Sequence, residues 1–182
     1  MALITKDYFR DDINLPKSDL SDLDGYIRRF EEDVLIALLG YELYKAVILP
    51  ANAEVSPYKE ILEGAEYTVE YNGRDQLIKW PGLKPGSDNR SLIAYYVYVY
   101  YLKNKVTSYQ TVGMVKSRQE NSYNANVMGK IMAAWNEFEG LYGFAGQSVL
   151  VPSAYNFLLE KKDLIPEWVF TELKGNINGH DL

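Results

Sequence analysis

Apolar positions along the chain change their spacing several times, and the changes divide it into elements. Thr5 to Phe9 reads as a single helical turn with Thr5 as its cap. From Ser18 or Asp19 onward, Leu20, Leu23, Ile27, Phe30, Val34 and Leu38 recur at three- and four-residue steps, the repeat of one helix face. Asp22, Asp24, Arg28, Arg29, Glu31 and Glu32 fall on the opposite side, which the pattern places in solvent. Gly40 predicts a stop, and a shorter helix through Leu43, Tyr44 and Val47 runs until Pro50 ends it. Ser56-Pro57 opens another short helix over Tyr58–Gly64, with the proline in the first turn, where no amide hydrogen is needed.

The period then shortens to two. Tyr67 to Tyr71 and Gln76 to Trp80 are rich in β-branched and aromatic residues, and they flank Asn72-Gly73-Arg74-Asp75. Asn-Gly supplies the positive φ angles of a tight turn, so a β-hairpin is expected over about residues 67–80. Along its first arm Tyr67, Val69 and Tyr71 alternate with Thr68 and Glu70, giving an apolar and a polar face. Pro81-Gly82 ends the second arm, and Lys84 to Asp88 reads as a loop.

Ser91 to Val112 is expected to be the longest and most buried helix, its face built from Leu92, Tyr95, Tyr96, Val99, Leu102 and Val106. A strand over Tyr95 to Tyr101 would suit the same residue types, but the length of the pattern favours a helix. Gly113 to Asn126 is polar and reads as a long ordered loop. A further helix over about Ala125 to Tyr142 places Val127, Ile131, Trp135, Phe138 and Leu141 together. Ser153 caps a helix through Tyr155 to Lys161, Pro166-Glu167-Trp168 starts a last turn, and residues 175–182 read as a frayed tail. With no internal repeat or linker, one mainly α domain over residues 1–182, a helical bundle with one β-hairpin, is the economical architecture.

Composition narrows the chemistry. The chain has 182 residues, enough for one core, and 16 tyrosines, which suit core edges and interfaces. A net charge of −6 argues against general nucleic-acid binding, which needs surplus cations. The sequence has no cysteine, so disulfides, thiolate metal sites and cysteine nucleophiles are excluded. No signal peptide is visible at the N-terminus, and the apolar run Leu92 to Leu102 falls short of a membrane span. A soluble intracellular protein is therefore expected. His180 is the single histidine and lies in the tail, so a histidine relay or metal cluster has little to build on. No phosphate loop or dinucleotide fingerprint occurs. Glu31-Glu32-Asp33 is the densest acidic group, but adjacent helix positions diverge and would not converge on one ion. Asn89-Arg90-Ser91 matches a glycosylation sequon yet reads as a helix cap. No catalytic residue, metal or cofactor is expected.

Charge is unevenly placed. Between Asp88 and Glu120 no acidic residue occurs, whereas Arg90, Lys103, Lys105, Lys116 and Arg118 all fall there. Lys103 and Lys105 would complement the C-terminal end of their own helix, or the stretch would form a basic patch facing an acidic partner, another copy or DNA. The expected partner-binding residues are accordingly Asn72, Gly73, Arg74 and Asp75 at the hairpin tip, with Lys103, Lys105, Lys116 and Arg118.

Leu3-Ile4-Thr5 together with Asp19 to Leu39 resembles the N-terminal half of phage head–tail connector, or head-completion adaptor, proteins. Tyr101 to Thr107, Gly113 to Lys116, Glu120-Asn121, Ala133 to Glu137 and Pro166-Glu167-Trp168 resemble uncharacterised proteins of tailed phages and prophages of gut bacteria. The resemblance covers most of the chain through diffuse helix patterns. It implies a structural virion protein, made in the bacterial host cytoplasm, forming a ring of roughly a dozen copies under the portal. Partners would be itself and portal or tail components, with DNA nearby, and no membrane. The hairpin would be the projecting element of such connectors. The chain is longer than the simplest of them, with further segments after Gly146, so another station in the virion neck stays open. A different class also stays open: a monomeric glycan-binding module or carboxylate-based hydrolase, using exposed Trp80, Trp135 or tyrosines as stacking platforms.

Overall fold

The computed structural model describes residues 2–15, 22–85, 90–111 and 118–173, and no side chain between 106 and 126. The fold is mainly α: six α-helices and one two-stranded antiparallel sheet among the described residues. The helices are α1 (Leu23–Leu39), α2 (Tyr41–Ile48), α3 (Tyr58–Glu63), α4 (Leu92–Thr111), α5 (Arg118–Tyr142) and α6 (Ala154–Glu160). The strands are β1 (Ala65–Tyr71) and β2 (Arg74–Trp80).

The core forms where α4 passes between α1 and α5. Every residue from Ser91 to Val99 is buried, so α4 is covered on all sides in its first half, and its tyrosines go inward with the aliphatics. α1 contributes Leu23, Ile27, Phe30, Val34, Leu35 and Leu38, while α5 contributes Val127, Ile131, Trp135, Phe138 and Tyr142. Phe30 stacks on Tyr100 with ring centroids 4.7 Å apart, and Tyr96 meets Phe138 at 5.1 Å. Such pairs add to the apolar burial that drives the packing.

Several boundaries differ from those the sequence predicts. The start expected at Ser18 or Asp19 lies outside the described residues, and α1 is helical from Leu23. Thr5 stands before a 3₁₀ turn over Lys6–Tyr8 but makes no capping bond. Pro57 occupies the N-cap of α3 rather than its first turn. The loop expected over Gly113 to Asn126 is helical from Arg118, because Arg, Gln and Glu propagate a helix well without signalling an apolar face. Ser153 does cap α6, its hydroxyl accepting from the Asn156 N–H at 3.3 Å. Ser91 accepts likewise from the Ala94 N–H at 3.3 Å.

Both ends of the described chain are tied to α1. Glu31, expected in solvent, is only 6% exposed. Its two carboxylate oxygens accept from the Leu3 N–H at 2.7 Å and the Ile4 N–H at 3.1 Å, which brings Ile4 into the core. At the other end Trp168 donates from Nε1 to the Leu38 carbonyl at 2.8 Å, and Thr171 donates its N–H to the Ala37 carbonyl at 2.8 Å. These bonds satisfy carbonyls that the end of a helix leaves without intrahelical donors. No described helix is long and apolar enough to cross a membrane.

Candidate functional site

The hairpin is closed by Asn72-Gly73, with φ of 53° and 72°, the type I′ combination whose twist matches that of the strands. The turn therefore holds two residues, not four: Arg74 pairs with Tyr71 and Asp75 with Glu70 inside the ladder. Pairing extends from there through Val69–Gln76, Thr68–Leu77, Tyr67–Ile78 and Glu66–Lys79 to Ala65–Trp80.

One face of the hairpin root belongs to the core. Tyr67 and Trp80 are buried against Phe157 of α6, with Trp80 stacked on it at 5.8 Å and Tyr67 edge-on at 5.4 Å. Trp80 also donates from Nε1 to the Ile61 carbonyl of α3 at 3.3 Å. Backbone bonds from Leu83 to Ile61 and from Lys84 to Leu62 lock the end of β2 to the same helix. Moving toward the tip, burial fades: Val69 is still covered, whereas Tyr71 is 43% exposed, and Asn72 through Asp75 all lie in solvent. Tyr71 thus lies on the apolar face of the first arm but is left uncovered next to the turn.

The opposite face carries Glu66, Thr68, Glu70, Asp75, Leu77 and Lys79, all exposed. Leu77, at 66%, is the most exposed of the large apolar side chains described. Period-two counting along the second arm places Leu77 with Asp75 and Lys79, and that was the available sign of an unusual apolar position on a polar face.

The basic stretch is not gathered into one patch by the described contacts. Arg90 pairs with Glu137 of α5 at 2.9 Å. Lys103 and Lys105 fold back over Tyr100 and Tyr101 of their own helix, at 5.8 and 5.4 Å from the ring centroids. Lys105 also lies 3.8 Å from Asp22, at the start of α1. Because α4 continues to Thr111, both lysines stand more than a turn short of its end, so they do not cap it. Lys116 lies outside the described residues. Arg118 opens α5, with its side chain outside them.

The acidic groups serve separate structural tasks. Burial raises the Glu31 carboxyl above its ordinary pKa, and the Leu3 and Ile4 amides pull it partly back. Glu32 and Asp33 point to solvent, so the three neighbours do not converge. Glu60 is held below the usual carboxylate range by the Lys161 ammonium at 2.7 Å and by the Ser56 hydroxyl at 2.6 Å. Burial pushes the hydroxyls of Tyr95, Tyr96 and Tyr142 far above their ordinary value, so these tyrosines stay neutral. Among the described residues no three His, Cys, Asp or Glu side chains are grouped to hold a metal ion.

The stacking platforms required of a glycan-binding module are missing at both tryptophans named for it. Trp80 is 2% exposed and Trp135 is 5% exposed, the latter with Nε1 donating to Glu139 at 2.6 Å. Comparison with protein-family models, with curated proteins and with solved structures finds no match for the chain.

Proposed function

We propose that the chain is a structural protein of virion assembly, a head–tail connector or adaptor that forms a ring between portal and tail and catalyses no reaction. The observation that carries this reading is the hairpin, whose root is fixed in an aromatic core while its tip stands in solvent. A contact element of this kind positions a neighbour accurately, because the strands cannot swing at their base. The resemblance of Leu3-Ile4-Thr5 and the α1 sequence to connector proteins supports the same reading. On it, the protein is made in the bacterial host cytoplasm and then joins the virion. Its partners are copies of itself and portal or tail components, and DNA passes nearby without being read.

Light scattering on the pure protein, with and without its portal, tests the proposal. A monomer or small oligomer is expected alone, and a ring on the portal, since each copy completes its interfaces only on the docking surface. Failure to bind any virion component overturns it. Replacing Arg74 and Asp75 by Ser should leave stability within about 0.5 kcal/mol, as for other surface changes, yet weaken head completion. Heads completed at the normal rate with that variant would reduce the tip to a simple turn.

A further inference from the structure

We propose that the free edge of β2 pairs with the same edge of a second copy, forming a symmetric dimer around Leu77. The inference stands apart from the assembly role and rests on the hairpin alone.

A two-residue turn sets which groups are free. In such a hairpin the flanking pair, Tyr71 and Arg74, exchanges hydrogen bonds, and bonded and non-bonded pairs alternate from there. Val69–Gln76 and Tyr67–Ile78 are thus bonded pairs. Asp75, Leu77 and Lys79 are the alternate positions, and their amides and carbonyls point away from β1. Among the described residues these groups make no backbone bond to another element. α6 lies against β1, the other strand of the sheet. The β2 edge is therefore a row of free donors and acceptors, a template for a further strand.

The side chains on that row select the partner. Asp75, Leu77 and Lys79 read as negative, apolar, positive at alternate positions on one exposed face. An antiparallel copy of the same strand presents positive, apolar, negative against them. With Leu77 on the two-fold axis, each Asp75 faces Lys79 of the other copy and the two leucines cover each other. The same register brings the outward amides and carbonyls of all three residues into bonded pairs, so hydrogen bonding and side-chain chemistry agree on one alignment.

Two features of the single chain are relieved by this partner. Within the hairpin Asp75 stands directly opposite Glu70, an unfavourable like-charge pair that a lysine from the second copy offsets. Neither Asp75 nor Lys79 has an ion-pair partner among the described residues. Leu77 is the exposed apolar group that pairing would remove from water. Strand pairing alone buries less than a standard interface, so the dimer is weak, with Kd on the order of 10 µM or higher.

Sedimentation of the full chain over a concentration series from about 1 µM to about 1 mM, a range spanning weak association, tests the proposal. Wild type should shift from monomer to dimer. Asp75→Lys and Lys79→Asp should each shift the midpoint at least tenfold upward, because each sets like charges across the axis. The double exchange, with both substitutions, should restore the wild-type midpoint. Circular dichroism of each variant checks that it is folded, as expected for exposed positions. A monomer throughout the series overturns the proposal. So does a dimer indifferent to the single exchanges, or a double exchange that fails to restore it.

Discussion

Glu31 sits where a buried carboxylate makes two charge-assisted bonds and still carries the cost of leaving water. Because its folded pKa is raised, it contributes stability that is present below the ordinary carboxylate value and lost as pH rises through the folded one. Glu60 acts in the opposite sense: its pKa is lowered, so its contribution is present above the ordinary value and lost as pH falls. Glu31→Gln keeps one acceptor oxygen and removes the buried charge. Urea melts at stepwise pH should show the variant gaining on wild type as pH rises through and above the ordinary carboxylate range. A constant difference across that range would mean that folding does not shift the pKa of this carboxyl. Tyr67 poses a related question, since its hydroxyl is buried without a hydrogen-bond partner among the described residues. Tyr67→Phe removes an orphaned polar atom and keeps the ring on Phe157, so chemical denaturation should find it neutral or stabilised by up to about 1 kcal/mol.

At the scale of elements, the hairpin separates two uses of glycine. A Cβ on Gly64 would run into the Trp80 carbonyl, where the end of α3 crosses the end of β2, whereas a Cβ on Gly73 would meet open space. Gly73→Ala should therefore cost roughly 1 kcal/mol, the strain of a positive φ alone. Gly64→Ala should cost about 3 kcal/mol or more, because backbone must move. Thermal melts that ranked them equally would show that the α3–β2 crossing is soft. The hairpin was legible in sequence because Asn-Gly and the alternation of Tyr67 to Tyr71 are local signals. Its turn length was not, since Arg74 and Asp75 look like loop residues until strand twist draws them into the ladder. The helix stripes of α1 and α5 were legible for the same local reason, whereas α4, buried on all sides from Ser91 to Val99, was legible by the length of its apolar pattern and not by a stripe. The first turns of α5 were hidden because Arg118 to Asn121 form a helix with no apolar repeat. Glu31 could not be found by periodicity at all: what buries it is Leu3 and Ile4, 28 and 27 residues earlier. The basic stretch was legible as composition, yet pairing with Asp22 and Glu137 is a property of tertiary structure.

Across the whole molecule, aromatic rings form a continuous line. It runs from Tyr26 and Phe30 of α1 through Tyr100 and Tyr96 of α4 to Phe138 and Tyr142 of α5. Phe170, Tyr155 and Trp168 continue it. Loss of packing in one part should propagate along this line, so near- and far-ultraviolet circular dichroism should report one coincident unfolding transition. Trp135→Ala, beside Tyr96 and Phe138, should lower stability by roughly 3–5 kcal/mol. Two separated transitions would show that the line is broken into independent parts. The bond from Trp168 to Leu38 has a bearing on how the chain is made. It spans 130 positions, and ribosomes add about 5–20 residues each second, so α1 leaves the exit tunnel on the order of ten seconds before the segment that closes its C-terminal carbonyls. During that interval the Gly40 N–H can serve the Ile36 carbonyl, but the Ala37 and Leu38 carbonyls are left to water. The final closure of α1 is thus an event of late synthesis, and a translational pause between residues 39 and 168 would lengthen the time for which a nascent chain presents that open end to chaperones.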